Sequence, residues 1–249
     1  MTPPPDRFAL QDQLRRDGFA FVNAEHMHDM LPLADMSDWS AFAQSWNDLA
    51  PDIYLAAQGR HRRRRHATFS IAADGELRRE PHQPHYQSVR YNPLQGDIQR
   101  WFQPIRPILA EGASLRRILQ FAHGLFAGLV ATPQRWHVEV HQFRIEARAD
   151  EPGEPTPEGV HRDGVDYVLV LLIERSNVDR GTTTIHAGKG DDGLLGSFTL
   201  AHPLDAALVD DARVYHGVTA VSAIDPAAPA HRDVLVVTFK AIARAPAEL

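Results

Sequence analysis

The sequence predicts a mainly β protein of the α+β class, with helices packed against one face of a β core. Short β-rich runs separated by turn residues fill the chain from Trp136 onward, a spacing typical of a sandwich or a barrel. Helical periodicity appears in the part of the chain before them. Hydrophobic residues form 43% and charged residues 23% of the chain, as in ordinary globular proteins, which argues against a disordered or fibrous chain.

Residues 1–130 are expected to form a helix-rich part that also contributes the first strands. The period of the apolar residues changes from helical to extended across "RRDG", which predicts a short helix over residues 8–16 and a strand at "FAFV". Residues 37–49 carry apolar groups at helical spacing behind a Ser or Asp cap. A longer amphipathic helix is expected from Ser114, its predicted N-cap, to residue 130.

Residues 131–249 are expected to form the β-rich part of the domain, which carries the metal site. A loop at residues 149–159 contains three prolines and two glycines and leads into the next strand. We find no internal repeat and no evident interdomain linker in the sequence. We therefore expect residues 1–249 to fold as a single domain.

Composition excludes several kinds of site and partner. The chain has no cysteine, so any metal site must use His, Asp or Glu. Its net charge of −6 argues against nucleic-acid binding, and the basic run at residues 60–66 would divide between two faces of a strand. The longest apolar run, residues 167–173, is far shorter than the roughly 20 residues of a membrane span. The N-terminus lacks the pattern of a secretory signal, so we expect a cytoplasmic protein.

The motif "HRD" places a histidine and an aspartate on the same side of a predicted strand. His161 and Asp163 are two residues apart, so in an extended segment both side chains point the same way. A third ligand must come from elsewhere, and His216, 53 residues after Asp163 at the end of another predicted strand, is the best candidate. Two histidines and one carboxylate form the facial triad of non-haem Fe(II) oxygenases.

Arg232 begins a predicted strand 16 residues beyond His216. A buried guanidinium needs an anionic partner, and its fork of donors matches a carboxylate. Near the metal, Arg232 could hold the distal carboxylate of a 2-oxo diacid. The alternative is a surface ion pair with Asp233 or Glu248.

With these residues the chain resembles the bacterial Fe(II)- and 2-oxoglutarate-dependent dioxygenases of the free amino-acid hydroxylase type, which include the isoleucine hydroxylases. The resemblance covers roughly residues 136–240, and "EGVHRDG" and "DDARVYHGVT" are its specific portions. The segments that carry it are "VHQFRIEA", "PTPEGVHRDGVDYVLVLLIERSNVDRGTTTI", "GSFTLAHPLDAALVDDARVYHGVTAV" and "HRDVLVVTF".

The resemblance implies a double-stranded β-helix, a cupin-like jelly roll whose ligands meet at one open end. It implies Fe(II) held by His161, Asp163 and His216, with 2-oxoglutarate and O2 as cosubstrates and Arg232 as the 2-oxoglutarate partner. The implied reaction hydroxylates a small substrate, a free L-amino acid, and releases succinate and CO2. Many relatives carry Ser or Thr two residues after the arginine, where this chain has Val234, so a second contact to the cosubstrate must come from another strand or be missing.

The segment "WHVEVH" offers a rival site, because His137, Glu139 and His141 alternate on one strand and share a face. These three positions span about 13 Å of strand and cannot all converge on one ion. We expect His141 to border the substrate pocket instead, and His137 and Glu139 to pack in the interior or meet solvent. Arg144 is a candidate for a substrate carboxylate or an exposed arginine, and Asp166 is a further candidate substrate contact.

Other readings of the same ligands stay open. A non-catalytic jelly-roll module could bind a metal or ligand, and a zinc-dependent hydrolase could use the same two histidines and carboxylate. The Pro-rich segment at residues 81–93 fits a substrate lid or a surface loop equally. The expected partners are a small-molecule substrate and neither nucleic acid nor membrane, with a homodimer as a candidate assembly.

Overall fold

Strands dominate the computed structural model, which describes residues 6–56, 61–132, 134–189 and 193–242. Thirteen strands lie within these ranges, and the bounds follow in chain order. They are β1 (Phe19–Val22), β2 (Ala50–Pro51), β3 (Arg62–Ile71), β4 (Leu77–Arg79), β5 (Arg135–Ala147), β6 (Tyr167–Ser176), β7 (Val178–Arg180), β8 (Thr182–His186), β9 (Leu194–Thr199), β10 (Ala206–Asp210), β11 (Tyr215–Val218), β12 (Val221–Ala223) and β13 (Ala230–Ile242).

The strands form a major sheet, a minor sheet and a two-stranded ribbon. The major sheet has the order β1-β10-β6-β13-β5-β3-β2, with β4 paired to β3. The minor sheet has the order β11-β8-β9, and β12 pairs with β7. All of these strand pairs are antiparallel. Strands from the first 130 residues and from the remainder of the chain therefore share the major sheet.

Helices cover one face of the major sheet. The α-helices are α1 (Arg7–Asp17), α2 (Ala24–Met30), α3 (Trp39–Gln44), α4 (Ile53–Ala56), α5 (Pro107–Ala110) and α6 (Ala113–Phe126), and short 3-10 turns lie at Leu33–Asp35, Ser45–Asp48 and Ala127–Leu129. None of the helices in the described ranges is long and apolar enough to cross a membrane.

The predicted helix over residues 8–16 and the strand after it are present, and a glycine joins them. Asp6 caps α1 by accepting from the Ala9 N–H at 2.8 Å. Gly18 follows the last residue of the helix as its C-cap and has φ +80°. A Cβ at Gly18 would lie 2.7 Å from Val214 Cγ1, so both the left-handed backbone and the close packing require glycine.

The helix expected from Ser114 differs in its start and its cap. It begins at Ala113, and Ser114 lies inside the first turn. Both the backbone N–H and the hydroxyl of Ser114 donate to Asp38 Oδ1, at 2.8 and 2.5 Å. A carboxylate from a distant segment therefore does the capping that we assigned to the serine, because Asp38 reaches the free N–H groups of the first turn.

Alternation along the central strands separates the core from the cavity. On β5, Trp136, Val138 and Val140 face the helices and are fully buried in the main apolar core, with α6 packed against them. The intervening positions, from His137 to Ile145, face the other way. On β5 the wholly apolar positions thus build the core, and the alternate face, which carries the polar side chains, lines the cavity.

Candidate active site

A cavity of about 560 Å³ lies between the major and minor sheets. Directly paired residues of antiparallel strands point to the same face. The row His66, His141, Val236, Val170 and Ala207 therefore runs across β3, β5, β13, β6 and β10 on the cavity side. β8 and β11 of the minor sheet line the opposite wall.

Three side chains predicted as metal ligands meet in this cavity. Nε2 of His161 is 3.5 Å from Asp163 Oδ1, and Nε2 of His216 is 3.6 Å from Asp163 Oδ2. One ligand atom from each residue lies within 4.8 Å of the others. The backbones of His161 and His216 exchange two hydrogen bonds of 2.9 Å, which brings the distant histidine to the first.

The ring of His161 is oriented by its own loop. Its Nδ1 lies 2.9 Å from the carbonyl oxygen of Gly159. Because a carbonyl only accepts, Nδ1 carries a proton, and the lone pair of neutral His161 lies on Nε2, toward Asp163. The imidazole is therefore held with a ligating atom facing the other two residues.

Asp211 was not predicted, and it organises the segment that carries Asp163. Its carboxylate accepts from the backbone N–H groups of Asp163, Gly164 and Val165 at 2.9, 2.8 and 3.1 Å. Its Oδ1 is also 3.7 Å from Nδ1 of His216. The carboxylate thus faces the outer nitrogen of His216 without a hydrogen bond to it, and charged groups around ligating residues tune metal sites.

The charges of this group favour a cation. Burial opposes ionisation of Asp163, but His161 and His216 outweigh it and hold its pKa well below the usual range. Burial would lower the pKa of His161, yet the Asp163 carboxylate raises it to about 9. Burial and His161 lower the pKa of His216 to about 4. Burial and the negative charge of Asp163 raise the pKa of Asp211 to about 7. The site thus concentrates one carboxylate among imidazoles that compete for its charge.

Gln87 connects the segment at residues 81–93 to the same group. Its amide N–H donates to the backbone oxygen of Asp163 at 3.3 Å and to Oδ1 at 3.4 Å. Its oxygen accepts from Arg100 at 2.9 Å and from Asn92 at 3.2 Å. This Pro-rich segment is therefore a wall of the cavity.

Arg232 lies in the cavity wall with 2% of its surface exposed. Its Nε and Nη2 are buried without a hydrogen-bond partner among the described residues. Burial and the nearby charge of Arg175 lower the pKa of Arg232 to about 10, so it remains a cation at neutral pH. Asp233 pairs instead with Arg144, at 2.8 and 2.6 Å. Glu248, the other partner considered, lies outside the described residues.

A second polar group, here called the polar wall, consists of Arg64, His85, Arg100, Glu139 and His141. Nδ1 of His85 is 2.9 Å from Glu139 Oε2, and Arg64 Nη2 is 2.8 Å from His141 Nδ1. Burial opposes ionisation of Glu139, but the imidazoles of His85 and His66 hold its pKa well below the usual range. The carboxylate is therefore negative, beside two buried arginines.

The family model for "2OG-Fe dioxygenase" matches residues 43–238. The chain belongs to this family. The protein is therefore a 2-oxoglutarate-dependent non-haem iron dioxygenase. Enzymes of this family use Fe(II) as the metal and 2-oxoglutarate and O2 as cosubstrates. Membership decides against the non-catalytic module and the zinc hydrolase that the ligand set left open.

Similar proteins match nearly the whole length of the chain. The 3(1)-hydroxy-L-isoleucine 4-dioxygenase of Pantoea ananatis (strain AJ13355) is 26% identical over 241 residues, 91% of this chain and 93% of the relative. The crystal structure of a BsmA homologue from Methylobium petroleophilum PM1 matches with a TM-score of 0.83 and 36% identity, covering 96% of this chain and 95% of that one. The structure of IDO from Bacillus thuringiensis matches with a TM-score of 0.77 and 18% identity, covering 95% and 96%, which shows the fold. The predicted mainly β jelly-roll class is confirmed.

The residues of this dioxygenase fit the cofactor and cosubstrate that the family uses. Two imidazole nitrogens and a carboxylate oxygen converge, a donor set that suits Fe(II). The two unpartnered nitrogens of Arg232 suit the carboxylate of a bound diacid. Both features are on the surface of one cavity.

Of the three remaining predicted substrate contacts, one lines the cavity and two do not. His141 lines the cavity of the dioxygenase, as expected, but His137 and Glu139 line it too, because alternate residues of β5 share this face. Arg144 does not, because strand alternation sends it to the opposite face of β5, where it pairs with Asp233. Asp166 also points away, and its Oδ2 accepts from the Ala241 N–H at 2.6 Å. The structure gives neither residue a place at the cavity.

The basic run, of which residues 61–66 are described, divides between two faces as expected. Arg62 and Arg64 line the cavity, and Arg62 is paired two-pronged with Asp52 at 3.2 and 2.9 Å. Arg63 points to the other side and bonds Glu146 at 2.7 Å. Two arginines of the basic run therefore belong to the dioxygenase cavity.

Proposed function

We propose that this dioxygenase hydroxylates a free L-amino acid and converts 2-oxoglutarate to succinate and CO2. The observation that carries the proposal is the sharing of one cavity of about 560 Å³ by the His161, Asp163 and His216 group and the unpartnered guanidinium of Arg232. That volume suits 2-oxoglutarate together with a small substrate. The similarity to 3(1)-hydroxy-L-isoleucine 4-dioxygenase supports an amino acid as that substrate.

His161, Asp163 and His216 are the proposed ligands of Fe(II). Bound there, the iron supplies the redox chemistry that couples 2-oxoglutarate decarboxylation and O2 to substrate oxidation. The chain's own task is to hold the ligands in place. Gly159 and Asp211 do so by fixing the His161 ring and the backbone of Asp163.

Arg232 is the proposed partner of the distal carboxylate of 2-oxoglutarate. Val234, two residues on, offers no hydrogen bond, so a second contact must come from the opposite wall. Thr183 is the proposed source, because it is buried on β8 and lines the cavity. Gly181, two residues before Thr183, lies against Arg232, since a Cβ at Gly181 would be 3.6 Å from Arg232 Cδ.

Apolar side chains separate this group from water. Val168, Val170, Val209 and Val236 line the cavity between its polar groups. Apolar walls favour the compact stem of a small substrate and limit side reactions with solvent. Their proposed role is to exclude water from the oxidised carbon.

The test is succinate formation from 2-oxoglutarate with Fe(II) and ascorbate, measured across the proteinogenic L-amino acids. We expect at least one amino acid to stimulate succinate release and to gain one oxygen atom by mass spectrometry. His161→Ala should abolish both signals, and Arg63→Gln, which changes the opposite face of β3, should preserve them. If no free amino acid stimulates turnover, the proposed substrate class is wrong.

A further inference from the structure

The polar wall holds buried charges that iron and 2-oxoglutarate binding do not use. Arg64 is 3% and Arg100 is 1% exposed. The Nε atoms of both are buried with no partner among the described residues. Glu139 faces the same cavity as a carboxylate. An unpartnered buried donor is costly, so these groups indicate a ligand that carries both charges.

The proton positions in the wall follow from Arg64. A guanidinium only donates, so the 2.8 Å contact from Arg64 Nη2 makes Nδ1 of His141 an acceptor. The proton of neutral His141 then lies on Nε2, which is 3.9 Å from Glu139 Oε2. The imidazole of His141 therefore stands between a cation and an anion, with its N–H toward the anion.

This arrangement disfavours a second metal ion, although His66, His85, Glu139 and His141 have ligand atoms within 4.8 Å of one another. His141 Nε2 carries a proton and has no lone pair to donate. The charge of Arg64 beside the group also repels a divalent cation. A ligand that adds one positive and one negative charge avoids this penalty.

We propose that the polar wall binds the head group of the α-amino acid, an inference that rests on the proposed function. The Glu139 carboxylate accepts hydrogen bonds from the α-ammonium group, and His85, 2.9 Å away, holds that side chain in place. Arg64 and Arg100 donate from their free Nε atoms to the α-carboxylate. A zwitterion is complementary to this wall because each of its charges meets the opposite one.

Gln87 links this head-group site to the metal group. It accepts from Arg100 at 2.9 Å and donates to Asp163 Oδ1 at 3.4 Å. One side chain thus touches a residue that holds the substrate and a residue that ligates the metal. The link places the amino acid's head group beside the metal group, with its side chain free to reach the oxidised position.

Binding of matched analogues tests the charge requirement without relying on turnover. The Mn(II)-loaded protein with 2-oxoglutarate is titrated calorimetrically with the proteinogenic L-amino acids. The tightest binder is then compared with its decarboxylated amine and its deaminated acid. We expect both analogues to bind at least about 100-fold more weakly, because each leaves a buried charge unpaired.

Two variants assign the charges to their residues. Glu139→Gln should raise the Kd of the amino acid about tenfold or more and leave that of the deaminated acid almost unchanged. Arg64→Gln should weaken the amino acid similarly and leave the amine almost unchanged. Arg64→Lys keeps the charge but lacks the Nε donor, so it should weaken the amino acid less than the glutamine variant does, and it serves if the glutamine variant does not fold. Glu146→Gln and Arg63→Gln, on the outer faces of the same strands, are the matched controls.

The outcomes separate this inference from the proposed function. Amino-acid turnover with Kd values that Glu139→Gln and the Arg64 variants leave unchanged would overturn the head-group site while the hydroxylase stands. If no amino acid binds or is turned over, the proposed function fails, and the inference with it. A second equivalent of Zn(II) bound tightly by the wild-type chain and lost in Glu139→Gln would show a cation site instead.

Discussion

Replacing Arg232 with glutamine removes the guanidinium that we assign to 2-oxoglutarate and keeps a polar side chain in its place. Arg232 has two buried nitrogens, Nε and Nη2, with no partner among the described residues, so the cosubstrate gains two charge-assisted hydrogen bonds. At about 1.5 kcal/mol each, their loss comes to about 3 kcal/mol. A difference of that size raises the Kd of 2-oxoglutarate about 150-fold.

The thermal stability of the ligand-free protein should not fall with the same substitution, although the affinity for 2-oxoglutarate does. In the absence of 2-oxoglutarate, Arg232 is a buried cation without a described acidic partner, so its burial costs free energy. We therefore expect Arg232→Gln to leave the Tm of the ligand-free protein unchanged or to raise it. The increase in Tm that 2-oxoglutarate gives the wild type should be lost at the same concentration.

Calorimetric titration of the Mn(II)-loaded protein with 2-oxoglutarate measures the affinity, and thermal denaturation measures the stability. Arg232→Lys, which keeps the charge but not the fork of donors, should fall between the wild type and the glutamine variant. Arg63→Gln, whose side chain lies outside the cavity, is the control. A glutamine variant that binds 2-oxoglutarate with wild-type affinity would refute the assignment of Arg232.

Three further substitutions test the surroundings of the site. Asp211→Asn should weaken metal binding about 10-fold to 100-fold, measured by Mn(II) titration, because the negative charge beside His216 and one of the two acceptor oxygens are lost. Gly181→Ala should lower the free energy of unfolding by at least about 1–2 kcal/mol in urea denaturation, since φ is +76° and the new Cβ would lie 2.7 Å from Val221 Cγ1. Asp38→Ala should lower that free energy by about 1 kcal/mol in the same experiment, because α6 loses its cap. An unchanged metal affinity or an unchanged unfolding midpoint would contradict the corresponding prediction.

The metal group was accessible from the sequence because its geometry is largely local. His161 and Asp163 stand two residues apart, and extended periodicity predicted that both face one side. The predicted strand at this motif is wrong, because the motif precedes β6 and pairs only through the single bridge from His161 to His216. His216 joins them through backbone pairing with His161, which the order of the strands made a reasonable expectation. Their convergence in the structure supports the ligand proposal.

The supporting residues could not be predicted because their positions depend on register between distant strands. His66 lies beside His141 only because β3 pairs with β5 in one particular register. Gln87 reaches Asp163 from a segment without helical or extended periodicity. The side on which Arg144 lies follows from which face of β5 packs against the helices, and the sequence of β5 does not specify that face. A shift of one residue in the pairing of β3 with β5 would turn His66 to the other face.

Anomalous diffraction at the iron edge, from crystals grown without oxygen with Fe(II), 2-oxoglutarate and the best-binding amino acid, tests the metal assignment most directly. We predict one strong peak in contact with His161, Asp163 and His216, and a 2-oxoglutarate carboxylate on Arg232. Iron bound at the Glu139 and His85 wall, or a triad with no iron density, would contradict the account.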